Sequence, residues 1–91
     1  MDLDIYYPHN IPFFTDKKFI DVKFINNDDH YINIYFVDGD KLGKFAGFVF
    51  SHTERKYRFP EKSIVAIISE KTPHKYQCFI KLIDGMIYIY P

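Results

Sequence analysis

The sequence holds one cysteine, no tryptophan, three leucines and two alanines, and it carries no net charge. Each shortage excludes something. A lone Cys78 rules out an intrachain disulfide framework. Twelve basic residues cancel twelve acidic ones, which excludes a polycation that binds chiefly by neutralising phosphates. No apolar run approaches the ~18 residues of a membrane span, so no membrane partner is expected. Met1-Asp2-Leu3-Asp4 lacks the basic region and cleavage site of a secretory signal, and with the single cysteine this predicts a cytoplasmic protein. At 91 residues the chain is too short for two cores and is expected to form a single domain over 1–91.

What is present is β-branched and aromatic. Thirteen Ile, four Val, ten Phe and eight Tyr outnumber the good helix formers among the apolar residues. Restricted side-chain rotation suits these residues to a pleated surface. The composition predicts an all-β fold of six or seven mostly antiparallel strands, in a strongly twisted sheet or small open barrel. The alternative is an α+β fold with one helix at about 61–72.

Local patterns place the elements. Residues 1–18, with Pro8, Pro12 and the pairs Tyr6-Tyr7 and Phe13-Phe14, read as an extended arm packing on the sheet, with a short edge strand around Asp4–Tyr7. Phe19–Ile25 alternates, with Ile20, Val22 and Phe24 on one side. Asn26-Asn27-Asp28-Asp29 is a turn, and Tyr31–Val37 alternates again with Ile32, Ile34 and Phe36 inward. Asp38-Gly39 signals a hairpin. Phe45–Phe50 is apolar on both faces, as a central strand or one bulged at Gly47 would be. In 61–72 the β-branched Ile64, Val65, Ile67 and Ile68 each cost a helix roughly 0.5 kcal/mol relative to Ala. That outweighs the helix-start character of Pro60-Glu61, so Ile64–Ser69 is expected to be a buried strand. Asp84-Gly85 predicts a last two-residue hairpin, with Cys78, Ile80, Leu82, Ile87 and Ile89 inward and Phe79, Lys81, Met86, Tyr88 and Tyr90 outward.

No nucleophile-elbow, zincin, phosphate-loop or dinucleotide-binding motif occurs, so no enzyme is expected. His74 and Cys78 on one strand lie more than ~10 Å apart, too far for a thiolate–imidazole pair. The four histidines lack metal-ligand spacing, and Asp38-Gly39-Asp40 lacks the downstream ligands of a calcium loop. No metal or cofactor is predicted.

Lys44–Ser51 resembles the ribonucleoprotein signature of the RNA-recognition motif at Lys44, Gly47, Phe48 and Val49. It departs at Phe45, Ala46 and Ser51, and the chain lacks the two crossover helices of that fold. The likeness is confined to eight residues and carries no assignment.

Two surfaces remain. Tyr31, Asn33 and Tyr35 on one strand, with Lys81, Met86, Tyr88 and Tyr90 from the last hairpin, would make a tyrosine-rich sheet face. Tyr and Met are enriched at protein-binding surfaces. The leading expectation is a non-catalytic protein-binding module that binds a larger protein, of the small inhibitor, immunity or antitoxin type. The alternative is a small β-barrel that grips single-stranded nucleic acid through Lys44, Arg55, Lys56, Arg58 and adjoining aromatics. A third reading is a homodimer, through the tyrosine face or an edge strand. The acidic turns around Asp28-Asp29 and Asp38-Asp40 lie at opposite ends of one strand, roughly 25 Å apart by strand rise, and do not form one acidic cluster.

Overall fold

Alternation, turn chemistry and β-branching carry through into eight strands. A computed structural model describes residues 4–12, 18–72 and 79–91. Its strands are β1 (Ile5–Tyr6), β2 (Phe19–Asn26), β3 (Ile32–Asp38), β4 (Lys41–Val49), β5 (Thr53–Pro60), β6 (Ile64–Ser69), β7 (Ile80–Lys81) and β8 (Met86–Tyr90). Among the described residues there is no helix, hence none long and apolar enough to cross a membrane. The fold is all-β. The strands divide into two four-stranded sheets, a front sheet in the order β1-β5-β2-β8 and a back sheet in the order β4-β3-β6-β7. Pairing is antiparallel except for β1 with β5 and β8 with β2, which are parallel.

The inward rows are those the period of two predicts. Ile20, Val22 and Phe24 from β2 meet Ile32, Ile34 and Phe36 from β3, with Tyr57, Phe59, Val65 and Ile67 completing the core. Phe24 packs edge-on against Tyr57 and Phe59 at centroid distances of 5.8 and 6.1 Å. The β3–β4 hairpin turns at Gly39-Asp40, and Gly39 supplies the positive φ (67°) such a turn needs.

Residues 61–72 hold a strand and turns, not a helix. Pro60–Ser63 is a turn in which the Ser63 hydroxyl donates to the Pro60 carbonyl at 2.6 Å. β6 then runs buried from Val65 to Ser69. β1 lies on the front sheet's edge, and the His9 N–H donates across to the Ala46 carbonyl of β4 at 2.8 Å. Phe13-Phe14, His74 and Cys78 lie outside the described residues.

The last hairpin is a correction. Ile83–Met86 is a turn, with the Met86 N–H donating to the Ile83 carbonyl at 3.0 Å, but the strands on either side do not pair. β7 belongs to the back sheet, Leu82 crosses through the core, and β8 joins the front sheet. The turn is anchored instead on β2. Gly85 N–H donates to the Asp21 carbonyl (2.8 Å) and Asp21 N–H donates to Asp84 Oδ1 (2.9 Å). Parallel registry sets Met86 beside Val22, Tyr88 beside Phe24 and Tyr90 beside Asn26, so all three turn inward and pack against the core. Ile87 and Ile89, expected inside, are 57% and 55% exposed.

Candidate functional site

The tyrosine face therefore divides. Tyr31, Asn33 and Tyr35 lie on the outer side of the back sheet, Tyr31 exposed and the others half-buried. Lys81 is exposed on β7, while Met86, Tyr88 and Tyr90 sit between the sheets on the other side of the molecule's core.

β4 brings other aromatics to the β3 residues. Its register against β3 steps from Ile34↔Gly47 to Tyr35↔Phe45, leaving Ala46 as a bulged residue. In a regular strand Phe45 and Phe48, three apart, would point to opposite faces. The bulge restores both to the outer face, beside Tyr35 and Asn33 respectively. Of the two readings of this strand, the central position fails because β4 is an edge strand, and the bulge expected at Gly47 falls one residue earlier. Gly47 has a separate reason to be glycine. A Cβ there would lie 2.3 Å from the Tyr57 hydroxyl oxygen, which accepts from the Phe48 N–H at 3.1 Å and donates to the Phe48 carbonyl at 3.2 Å.

Two aromatic groups result. Tyr35 meets Phe45 edge-on at 5.7 Å, and His9 stacks on Phe45 at 5.8 Å. Towards the other end of β3, Tyr31 contacts Phe48 and Phe50, each at 6.5 Å, and Phe48 meets Phe50 at 5.1 Å. Arg55, from β5 of the opposite sheet, reaches into this second group. Its guanidinium carbon lies 3.9 Å from the Tyr6 ring centre, 4.4 Å from Phe48 and 5.7 Å from Phe50. Those rings cover the cation's faces. One edge nitrogen is 3.4 Å from the Tyr57 hydroxyl. Phe50 itself is 53% exposed.

The other basic candidates are elsewhere. Arg58 lies on the outer side of the front sheet, with Nε and Nη2 donating to the Asp21 carboxylate at 2.7 and 3.3 Å. That pairing, with help from the Tyr7 hydroxyl, raises its pKa above the ordinary guanidinium value. Lys56 is on the same outer side, in register with Lys23, and Lys44 is exposed on β4 of the back sheet. The fold does not gather Lys44, Arg55, Lys56 and Arg58 into one groove.

The acidic turns are likewise spoken for in part. Asp29 Oδ1 is 2.8 Å from His52 Nε2, and this hydrogen bond and charge lower the Asp29 pKa. Asp28 accepts from the Ser69 hydroxyl at 3.2 Å. Among the described residues no group of three or more His, Cys, Asp and Glu side chains is placed to hold a metal ion.

No family model matches the chain, and comparison with curated proteins and with solved structures finds no match.

Arg55 was singled out from sequence for the nucleic-acid reading alone, and the contributions of Tyr6, Phe48 and Phe50 to this group were not foreseen. Phe48 needed the bulge, and Arg55 needed knowledge of which strand of one sheet overhangs which edge of the other. The only local signal was the glycine in an otherwise bulky strand.

Proposed function

We propose that the chain is a non-catalytic protein-binding module that engages a larger protein through Tyr31, Phe48, Phe50 and Arg55. The observation that carries this reading is the guanidinium of Arg55 held between Tyr6 and Phe48 beside the half-exposed ring of Phe50. Aromatic residues and arginine are the types that dominate binding hot spots, because they offer large contact area at low entropy cost. A guanidinium whose faces are already packed loses little freedom on docking, and its edge N–H groups suit a carboxylate on the partner. On this reading the chain is of the small inhibitor, immunity or antitoxin type. A cytoplasmic setting belongs to the same reading, supported by the single cysteine.

The test is capture of a partner from native lysate on the immobilised chain at low and high salt, with Phe50→Ser and Tyr31→Ser beside the wild type. A stoichiometric protein that survives high salt and falls at least tenfold with either variant is the expected result. Equal capture by both variants refutes the assignment of the surface. Recovery of nucleic acid alone, lost at high salt, would transfer the function to the basic segment.

A further inference from the structure

The two sheets present four edges, and three of them are blunted. β1 and β7 have two residues each, β1 followed closely by Pro8 and β7 containing Lys81. β4 is the longest strand, but its free side is covered from Phe45 to Phe48. Asn10 Nδ2 donates to the Phe45 carbonyl at 2.8 Å, His9 N–H to the Ala46 carbonyl at 2.8 Å, and the Tyr57 hydroxyl takes both main-chain groups of Phe48. Short strands, lysine, bulges and covering segments are the usual devices against edge pairing.

β8 lacks all but one of them, the proline that follows it at Pro91. Its five residues contain no charge, proline or bulge, and among the described residues it pairs only with β2. In a parallel ladder alternate residues direct both N–H and C=O to the same neighbour. The Asn27 N–H donates to the Tyr90 carbonyl at 3.0 Å, so Tyr90 and Tyr88 face β2. The main-chain groups of Ile87 and Ile89 are therefore directed to the other side. Their side chains are more than half exposed on the outer face, and Ile83 in the adjoining turn is 63% exposed.

We propose that β8 is the interface between two copies of this chain, paired antiparallel about a two-fold axis at Tyr88. That axis sets Ile87 opposite the partner's Ile89, and Ile89 opposite the partner's Ile87, as two hydrogen-bonded pairs. All four isoleucines then meet on one face as cross-strand neighbours. A second copy fits because the strand is complementary to itself, apolar against apolar, and zero net charge leaves no overall repulsion between copies. Ile87 and Ile89 together expose on the order of 200 Å² per copy, and with the paired main chains this makes a small contact of the weak, transient class, below ~1,000 Å². Association is accordingly concentration-dependent, and it leaves the aromatic surface around Arg55 free.

Size-exclusion chromatography with light scattering, from about 1 μM to about 1 mM, reads the mass directly. Wild type is expected to rise from 10.9 kDa towards twice that value. Ile87→Lys and Ile89→Lys should move the midpoint up at least tenfold, while Leu42→Lys on β4 leaves it unchanged. On wild type, amide exchange at Ile87 and Ile89 should slow as concentration rises. A mass fixed at 10.9 kDa, a mass climbing past the dimer, or a dimer whose Ile87 and Ile89 amides exchange unchanged would each overturn the proposal.

Discussion

Asn26 closes one end of the sandwich, and removing its amide should cost more than any surface change. It is fully buried at the end of β2. Its Nδ2 donates to the carbonyls of His30 (2.9 Å), Val49 (3.1 Å) and Phe50 (3.3 Å), and its Oδ1 accepts from the Asp28 N–H at 2.9 Å. One side chain thus ties the front sheet to the β2–β3 turn and to the end of β4. Asn26→Ala removes these four hydrogen bonds at about 0.5–1 kcal/mol each, while the Val49 carbonyl keeps its ladder partner Ile32. The expected loss is about 2–4 kcal/mol, out of the ~5–14 kcal/mol usual for this length. Urea unfolding at constant m should report it, and melting should fall by roughly 10–20 °C. Asn26→Asp sharpens the test. It keeps the acceptor but points a second oxygen at three carbonyls, so burial and repulsion raise the new carboxyl's folded-state pKa above its unfolded value of about 3.9. Its penalty relative to wild type should be smallest below that pH and grow as pH rises through the folded-state value. A loss under ~1 kcal/mol for Asn26→Ala, or a pH-independent penalty for Asn26→Asp, would refute this account of the amide.

Three further outcomes follow from the contacts. Gly47→Ala drives a methyl into the Tyr57 hydroxyl and should cost about 2–3 kcal/mol; adding Tyr57→Phe should recover part of it, and strictly additive losses in thermal melts would contradict the steric cause. Arg55→Ala should lose roughly 1–2 kcal/mol through its stacking on Tyr6 and Phe48, with Arg55→Lys intermediate, measured by urea titration. Asp29 should titrate below 3.8 by carboxyl-detected NMR and return upward in His52→Ala. Because its folded-state pKa is depressed, its contribution to stability is present above 3.8 and is lost as pH falls through the folded-state value.

The strands with one polar and one apolar side were legible. In β2 and β3, Asp21, Lys23, Asn33 and Tyr35 oppose aliphatic and Phe residues, so only one face can be buried, and Val22, Phe24, Ile32 and Ile34 are all inside. β6 was legible from its β-branched run. β8 was not, because Met86-Ile87-Tyr88-Ile89-Tyr90 is apolar on both sides and hydrophobicity does not choose between them. Its partner chose: parallel registry with β2 turned the tyrosines inward, and no local turn signal encodes a strand so far back in the chain. For the candidate site, Tyr31, Asn33 and Tyr35 were found by alternation. Their neighbours Phe48, Phe50 and Arg55 arrive through a bulge and an inter-sheet contact.

The parallel seam between β2 and β8 also governs when the molecule can fold. Val22 and Met86, adjacent in the front sheet, are 64 positions apart in the chain. The β3–β4 hairpin closes locally and can form early, whereas β2 emerges from the ribosome long before β8 exists to cover its flank. Until then that flank, and the Phe24 ring against which Tyr88 packs at 6.1 Å, lack their β8 cover. Folding is therefore expected on the millisecond-to-second scale of non-local β proteins, and its slow step is the docking of β8.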